Sequence, residues 1–364
     1  MAYHIFHSVK KWLSPTSPWI ADQIRLFPLE QQTVLTNVKV NPPTDISANL
    51  FQKSVMIRST EAFRRRAIRK QRADVNIVFS HFGNQAWHDL ALNADLKIGR
   101  FYGYDLHRLP TSQPIWNERY LELFDKIDVL LCEGPYMKQI LMDKGANSNK
   151  IKVLPLGVKP FENPQIRTTN GHLNILIAGT FTPKKGIHTA LDACLLLAEN
   201  EAGFSFSIDI IGDYLDAVAS PDAYKSSLEV KLNHPLLKSK ITRHGYVSRE
   251  RLHRLALQSH CALLPSEWTA SRDCEGGFPV IFLDLMATGL PIISTDHCDI
   301  PFAITSENGF LAQEKDVEQL AKYILQISDN DVLMTKSKAA IATVEQRFLW
   351  DKLAPLYHQT ILKR

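Results

Sequence analysis

The stretch Asp273-Cys-Glu-Gly-Gly-Phe-Pro-Val-Ile-Phe-Leu-Asp-Leu-Met-Ala-Thr-Gly-Leu-Pro-Ile-Ile-Ser-Thr-Asp296 decides how the rest of the chain is read. It spells a glycine loop, a buried helix and a buried strand. Pro279 suits the first turn of a helix, where its missing N–H costs nothing. Gly289 supplies a left-handed stop, and Pro291 prevents continuation. Between them only Asp284 and Thr288 are polar, which predicts a helix covered nearly all round. A carboxylate there is costly unless it is paired. Gly276 and Gly277 allow close approach of backbone to a ligand, and the helix tip behind them offers N–H groups to an anion. Glu275 stands just before that cradle. The pattern suits a nucleotide sugar, with phosphates on the tip, one acid near the sugar and one near the ribose. A capped core helix with a tolerated acid is the other reading these residues allow.

At 364 residues the chain has room for two domains, each with its own core. Its charge is nearly balanced, with a formal net of +4. That excess permits contact with acidic substrates or anionic lipid without demanding it. The five cysteines are scattered and lack CxxC or Cys/His ligand spacing, which predicts a reducing compartment and no metal. No apolar run reaches bilayer length, and no signal peptide is evident at the start. The expected location is cytoplasmic, with a peripheral position at the inner face of the membrane as its variant.

Strand and helix patterns alternate throughout, which predicts an α/β chain with parallel sheets. Residues 2–7 and 33–40 read as strands around a helix over 18–27, with Ser17 as its N-cap and a residue of a cleft-lining loop. Residues 63–72, Phe-Arg-Arg-Arg-Ala-Ile-Arg-Lys-Gln-Arg, form a basic helix. It reads as a solvated face, or as a foothold on anionic lipid worth about 1 kcal/mol per basic residue. Nucleic acid is not expected, because no aromatic residues interleave and no binding motif is present. Strands over 75–81 and 97–101 end in Ser80-His81-Phe82-Gly83 and Tyr102-Gly103-Tyr104-Asp105. Carboxyl ends of parallel strands are where such sheets bind ligands, so His81, Gly103 and Asp105 become cleft-lining candidates. His107 is a neighbouring residue read as structural or exposed. Residues 159–172, rich in proline and polar residues, read as the linker between domains 1–158 and 173–343. Helical periodicity closes the chain over 344–364.

Gly277-Phe278-Pro279 followed by Leu285-Met286-Ala287-Thr288-Gly289-Leu290-Pro291 resembles the acidic signature of retaining, GT4-type glycosyltransferases, and within them the branch that builds exopolysaccharides such as colanic acid. The resemblance implies the GT-B fold: two Rossmann-like, doubly wound domains facing a cleft, with the last helix crossing back to the first domain and Trp350 as its anchor. It covers the second domain throughout and the first more thinly. It implies catalytic roles for Glu275, Lys185 and Tyr102. Lys185 lies in Gly179-Thr-Phe-Thr-Pro-Lys-Lys-Gly186, where the family has Gly-Arg-x-x-x-x-Lys-Gly. Thr180 takes the arginine place, and Lys184 is a substitute charge. Gly212, Tyr246, Val247, Gly276, Gly277, Phe278, Pro279 and Asp284 would complete the donor site. Four departures stand out: Tyr102 where a histidine is usual, Thr180 for arginine, Asp284 for glutamate, and one extra residue between the two acids.

The function implied is transfer of a sugar, with retention, from a nucleotide diphosphate donor to a glycan or lipid-linked acceptor, without cofactor or metal. Lys185 and the loop amides would stabilise charge on the leaving diphosphate. The departures leave two alternatives open: a GT-B nucleotide-sugar-binding protein without turnover, and another GT-B enzyme such as a nucleotide-sugar epimerase. A pyridine-nucleotide dehydrogenase is not expected, since no strand runs into GxGxxG.

Overall fold

The computed structural model describes residues 2–12, 19–39, 60–71, 73–214 and 220–362. Ser17 lies outside them. The chain divides into two compact units, Met1–Gly157 together with Trp350–Arg364, and Val158–Leu349.

The first unit runs β1 (Tyr3–Trp12), α1 (Trp19–Ile24), β2 (Gln32–Lys39), α2 (Thr60–Lys70), β3 (Val75–His81) and α3 (Gly83–Asp89). It continues with β4 (Leu96–Arg100), α4 (Arg108–Ser112), α5 (Ile115–Lys126), β5 (Val129–Cys132), α6 (Pro135–Asp143) and β6 (Ile151–Val153). The second unit opens with β7 (His172–Ala178), α7 (Ile187–Asn200), β8 (Ser205–Ile211), α8 (Asp222–Leu232), β9 (Ile241–Gly245) and α9 (Arg249–Gln258). Then come β10 (Cys261–Leu263), α10 (Val280–Ala287), β11 (Ile292–Thr295), β12 (Gly309–Ala312), α11 (Val317–Ile327) and α12 (Asn330–Arg347). The last helix, α13 (Trp350–Leu362), belongs to the first unit.

Each unit holds one six-stranded sheet, ordered β2-β1-β3-β4-β5-β6 in the first and β12-β11-β10-β7-β8-β9 in the second. Strand pairing is parallel in both, as the alternation predicts. The second sheet has two buried faces. Ile175 and Ile177 face α7, α8 and α11, while Leu176 and Ala178 face α9, α10 and α12. That is why its central strands are apolar runs and not alternating ones. Its order reverses between β7 and β10, so the loops leaving those two strands diverge and open a crevice at their carboxyl ends. In the first sheet the reversal lies between β1 and β3.

Helix α10 has eight residues, too short to be stable alone. Burial of Phe282, Leu283, Leu285 and Met286 holds it, each contributing roughly 1.5–3 kcal/mol. Gly289 ends it at φ 89°, as expected. Pro279 sits one step outside, as the N-cap with extended ψ of 119°, and not in the first turn. Residues 159–171 carry no helix or strand and belong to the second unit. Arg167 pins them there. Its buried guanidinium donates to the carbonyls of Ala256 at 3.1 Å and Thr288 at 3.0 Å, the ends of α9 and α10.

The C-terminal region differs from the expected single helix. It is two helices broken at Phe348-Leu349, and α12 begins well before residue 344. In α13, Tyr357 accepts a hydrogen bond from the fully buried Arg100 at 2.6 Å and donates to Pro155 at 3.1 Å. Trp350 packs edge-on against that ring.

Candidate functional site

The loops leaving β7 and β10 bring two ion pairs together at the crevice between those strands. The loop after β7 carries Lys184 and Lys185 as a short 3-10 turn, and Gly186 turns it into α7 at φ 60°. A β-carbon on Gly186 would meet the Pro265 carbonyl at 1.8 Å, so the two loops touch through bare backbone. Across from it lies the segment 273–275. Lys185 Nζ reaches both oxygens of Glu275, at 2.8 and 2.9 Å. Glu275 also accepts from the Ser266 hydroxyl at 3.0 Å. Lys184 Nζ lies 3.3 Å from Asp273 and donates to the Cys274 carbonyl at 3.0 Å. Burial alone would push the Glu275 carboxyl up; the two lysines outweigh it and hold the group at about 2. The two candidates named for chemistry are therefore partners, each neutralising the other.

Asp284, within α10, is mostly buried. The expected counter-charge comes from α9: Arg249 pairs with it directly, and His253 Nε2 stands 4.0 Å away. A cavity of about 470 Å³ opens beside it, lined by Lys159, Phe161, Arg249, Glu250 and His253.

The loops after β8 and β9 complete this end of the sheet. Gly212 has φ 113°, and a β-carbon there would lie 2.0 Å from the Gly179 carbonyl, so the β8 end packs directly against the lysine loop. Tyr246 and Val247 lie just past the end of β9. The Tyr246 hydroxyl donates to the Asp213 carbonyl at 3.0 Å and stands 3.4 Å from Thr180 Oγ1. Gly276 takes φ 76°, while Phe278 is buried in the core, edge-on to Phe282. Phe278 is thus packing in this structure.

In the first unit, Tyr102 ends a chain of hydrogen bonds whose direction is fixed. The Gln32 amide nitrogen donates to the carbonyls of Ile24 and Phe27, so its oxygen faces His7 Nε2, 2.8 Å away. His7 Nε2 must then carry the proton, and His7 Nδ1 accepts from His81 Nε2 at 3.2 Å. His81 Nδ1 in turn accepts from the Tyr102 hydroxyl at 2.7 Å, and the Tyr102 oxygen accepts from Gln23 at 3.2 Å. Both imidazoles are neutral: burial brings His7 down to about 4 and takes His81 well below its ordinary value. Tyr102 therefore presents an acceptor lone pair, its proton being committed inward. Asp105 does something else. Fully buried, it accepts the amides of Gly83 at 2.6 Å and Tyr102 at 3.0 Å, tying two loops together. Burial pushes its carboxyl up to about 6 against those two donors. Gly103 takes φ 94° in the turn Asp105 closes. His107 stacks on Tyr136.

Residues 159–344 match the family described as glycosyl transferases group 1. The chain belongs to that family. It is a glycosyltransferase. Among curated relatives, the amylovoran biosynthesis glycosyltransferase AmsK of Erwinia amylovora is 28% identical over 285 residues, 76% of this chain and 67% of that one. The putative colanic acid biosynthesis glycosyltransferase WcaL of Escherichia coli is 28% identical over 291 residues, with the same two coverages. Among solved structures, sucrose-phosphate synthase from Thermosynechococcus elongatus matches with a TM-score of 0.76 at 15% identity, over 99% of this chain and 98% of that one. HepE from Anabaena, solved with UDP, matches with 0.75 at 13% identity over 99% of both. At such identities the likeness speaks for the fold, which is GT-B.

Several partners in this glycosyltransferase were not singled out from its sequence: Arg249 and His253 beside Asp284, Ser266 and Asp273 beside the lysines, and His7 with Gln32 behind Tyr102. The signal available was position. His7 lies on a strand next to the reversal in the first sheet, and Ser266 and Asp273 lie in the loop leaving β10 at the reversal in the second. Arg249 opens a helix beside α10, and only packing brings it to Asp284. Among the described residues no helix is long and apolar enough to cross a membrane.

Proposed function

We propose that this glycosyltransferase moves a sugar from a nucleotide diphosphate donor, with retention at the anomeric carbon, to a glycan or lipid-linked acceptor during polysaccharide assembly. The observation that carries the reading is the Lys185–Glu275 pair at the order reversal of the second sheet, one loop from the tip of α10. A diphosphate arriving there competes with Glu275 for Lys185. The ammonium then faces the oxygen on which charge develops as the sugar–phosphate bond breaks, the kind of stabilisation that dominates many enzyme rate enhancements. Glu275, released from one partner and still held by Ser266, accepts from sugar hydroxyls. Asp284 exchanges Arg249 for the ribose hydroxyls. Tyr102 accepts from a sugar hydroxyl through its free lone pair. No protein side chain is given the role of covalent nucleophile, and no metal is needed for the leaving group. The acceptor class follows AmsK and WcaL, glycosyltransferases named for amylovoran and colanic acid biosynthesis.

The test is nucleotide release from a panel of nucleotide sugars, with binding followed by calorimetry. Lys185→Met should weaken donor binding by about 1.5–3 kcal/mol, the worth of a charged hydrogen bond, and slow turnover as well. Asp284→Asn should weaken the free nucleotide and the donor alike. Tight binding without release from any donor would remove the transferase reaction; unchanged affinity in both variants would remove the residue assignments.

A further inference from the structure

The end of β11 and the segment before α10 bring together three soft donors that the transfer chemistry above does not use. The ligand atoms of Cys274, His297 and Cys298 all lie within 4.8 Å of one another, with Cys298 Sγ 3.3 Å from His297 Nε2. Their separation in sequence hides the cluster, which the scattered cysteines gave no reason to expect.

The imidazole is prepared as a ligand. Glu314 Oε1 lies 2.7 Å from His297 Nδ1, and its other oxygen accepts the Trp268 amide at 2.8 Å, so the carboxylate is fixed and takes the ring N–H. The Nε2 lone pair faces the Cys298 thiol, 3.3 Å away, and the Glu275 amide. A carboxylate behind a histidine is the usual outer shell of a metal-bound imidazole. The second observation is backbone strain. Cys298 sits at φ 49°, a conformation side chains with a β-carbon rarely adopt, and it brings Sγ back onto its neighbour's ring. Cys274 and His297 are buried while Cys298 is partly exposed, which gives an ion a way in.

We propose that Cys274, His297 and Cys298 form a binding site for a thiophilic divalent cation of the zinc class, with water as the fourth ligand. Zn–S and Zn–N bonds of about 2.3 and 2.0 Å in a tetrahedron put ligand atoms roughly 3.6–3.8 Å apart, so the cluster needs to contract by only about 1 Å. Two thiolates and an imidazole exclude magnesium and calcium, which take oxygen ligands. On binding, each thiol releases its proton to solvent and the imidazole binds neutral, so two protons leave per ion. The site is coupled to the charge pair. His297 Nε2 now accepts the Glu275 amide at 3.2 Å, and coordination would take that lone pair away. The segment carrying Glu275 must then re-form its hydrogen bonds, which makes the ion a regulator of the loop and not a participant in transfer.

The test uses the full chain under a thiol-free reductant and zinc alone, titrated against a chromophoric chelator. One equivalent should bind, with about two protons released. Cys274→Ser and Cys298→Ser should each weaken binding at least tenfold, and Glu314→Gln by about 10–100-fold. Cobalt in place of zinc should give a sulfur-to-metal charge-transfer band that Cys298→Ser weakens. Circular dichroism of each variant separates lost binding from lost folding, and Cys298→Ser, at the partly exposed position, is the gentlest change. No stoichiometric binding by the folded chain, or binding that neither serine substitution affects, overturns the proposal. Zinc binding is measured without nucleotide, so either reading can fail alone.

Discussion

Replacing Glu275 with glutamine keeps the shape of the side chain and removes the charge that Lys185 and Lys184 face. The carboxyl is held at about 2 in the folded chain, against an ordinary value near 4.5, by those lysines in spite of its burial. A difference of that size at about 1.4 kcal/mol per unit is on the order of 3 kcal/mol. The same range, about 3–5 kcal/mol, is typical for removing one member of a buried pair. The sign follows from which state binds protons. Between about pH 4.5 and pH 2 the unfolded chain binds the proton and the folded one does not. The stabilisation is therefore complete above about pH 4.5 and disappears as pH falls through 2. The gap between parent and Glu275→Gln should stand near 3 kcal/mol at pH 7 and shrink to roughly half that at pH 3. Because the chain has two units, the probe must report the second one alone. Trp268 is the only tryptophan within Val158–Leu349, so its fluorine signal in 5-fluorotryptophan-labelled protein serves during urea unfolding. A gap below about 1 kcal/mol at pH 7, or one that does not change with pH, would refute the view that this pair is a buried, mutually dependent one.

Two further outcomes rest on single contacts. Gly212→Ala places a β-carbon 2.0 Å from the Gly179 carbonyl in a positive-φ conformation. It should cost about 2 kcal/mol or more, read by the same Trp268 signal, and should weaken donor binding by moving the lysine loop. His7 is held neutral by burial, its value brought down to about 4, so the unfolded chain takes up the proton first as pH falls from about 6.5. Stability of the first unit should therefore drop between about pH 6.5 and 4, and His7→Gln should flatten that slope in hydrogen exchange of the β1 amides.

The sequence by itself determined the elements that local pattern can encode. The apolar run over 75–81 marked β3 to the residue. Ser248 caps α9, its hydroxyl accepting the Arg251 amide at 3.3 Å. Gly289 and Pro291 bounded α10 because a left-handed stop is a property of one residue. Where the inside of a helix is polar, the same reading failed. Lys336 and Ser337 are buried in α12, satisfied by the Ser306, Gly309 and Gly289 carbonyls, so no apolar stripe announced the helix. Only the tertiary structure decided which charges meet. Lys185 and Glu275 both stood out as chemistry, but nothing local said that they neutralise one another, or that Arg249 would answer Asp284. Nor could it show that Gln32, through two histidines, sets the direction of the Tyr102 proton. Backbone propensity acts over a few neighbours, whereas electrostatic partners are chosen by whatever the packed sheets bring within a few ångströms.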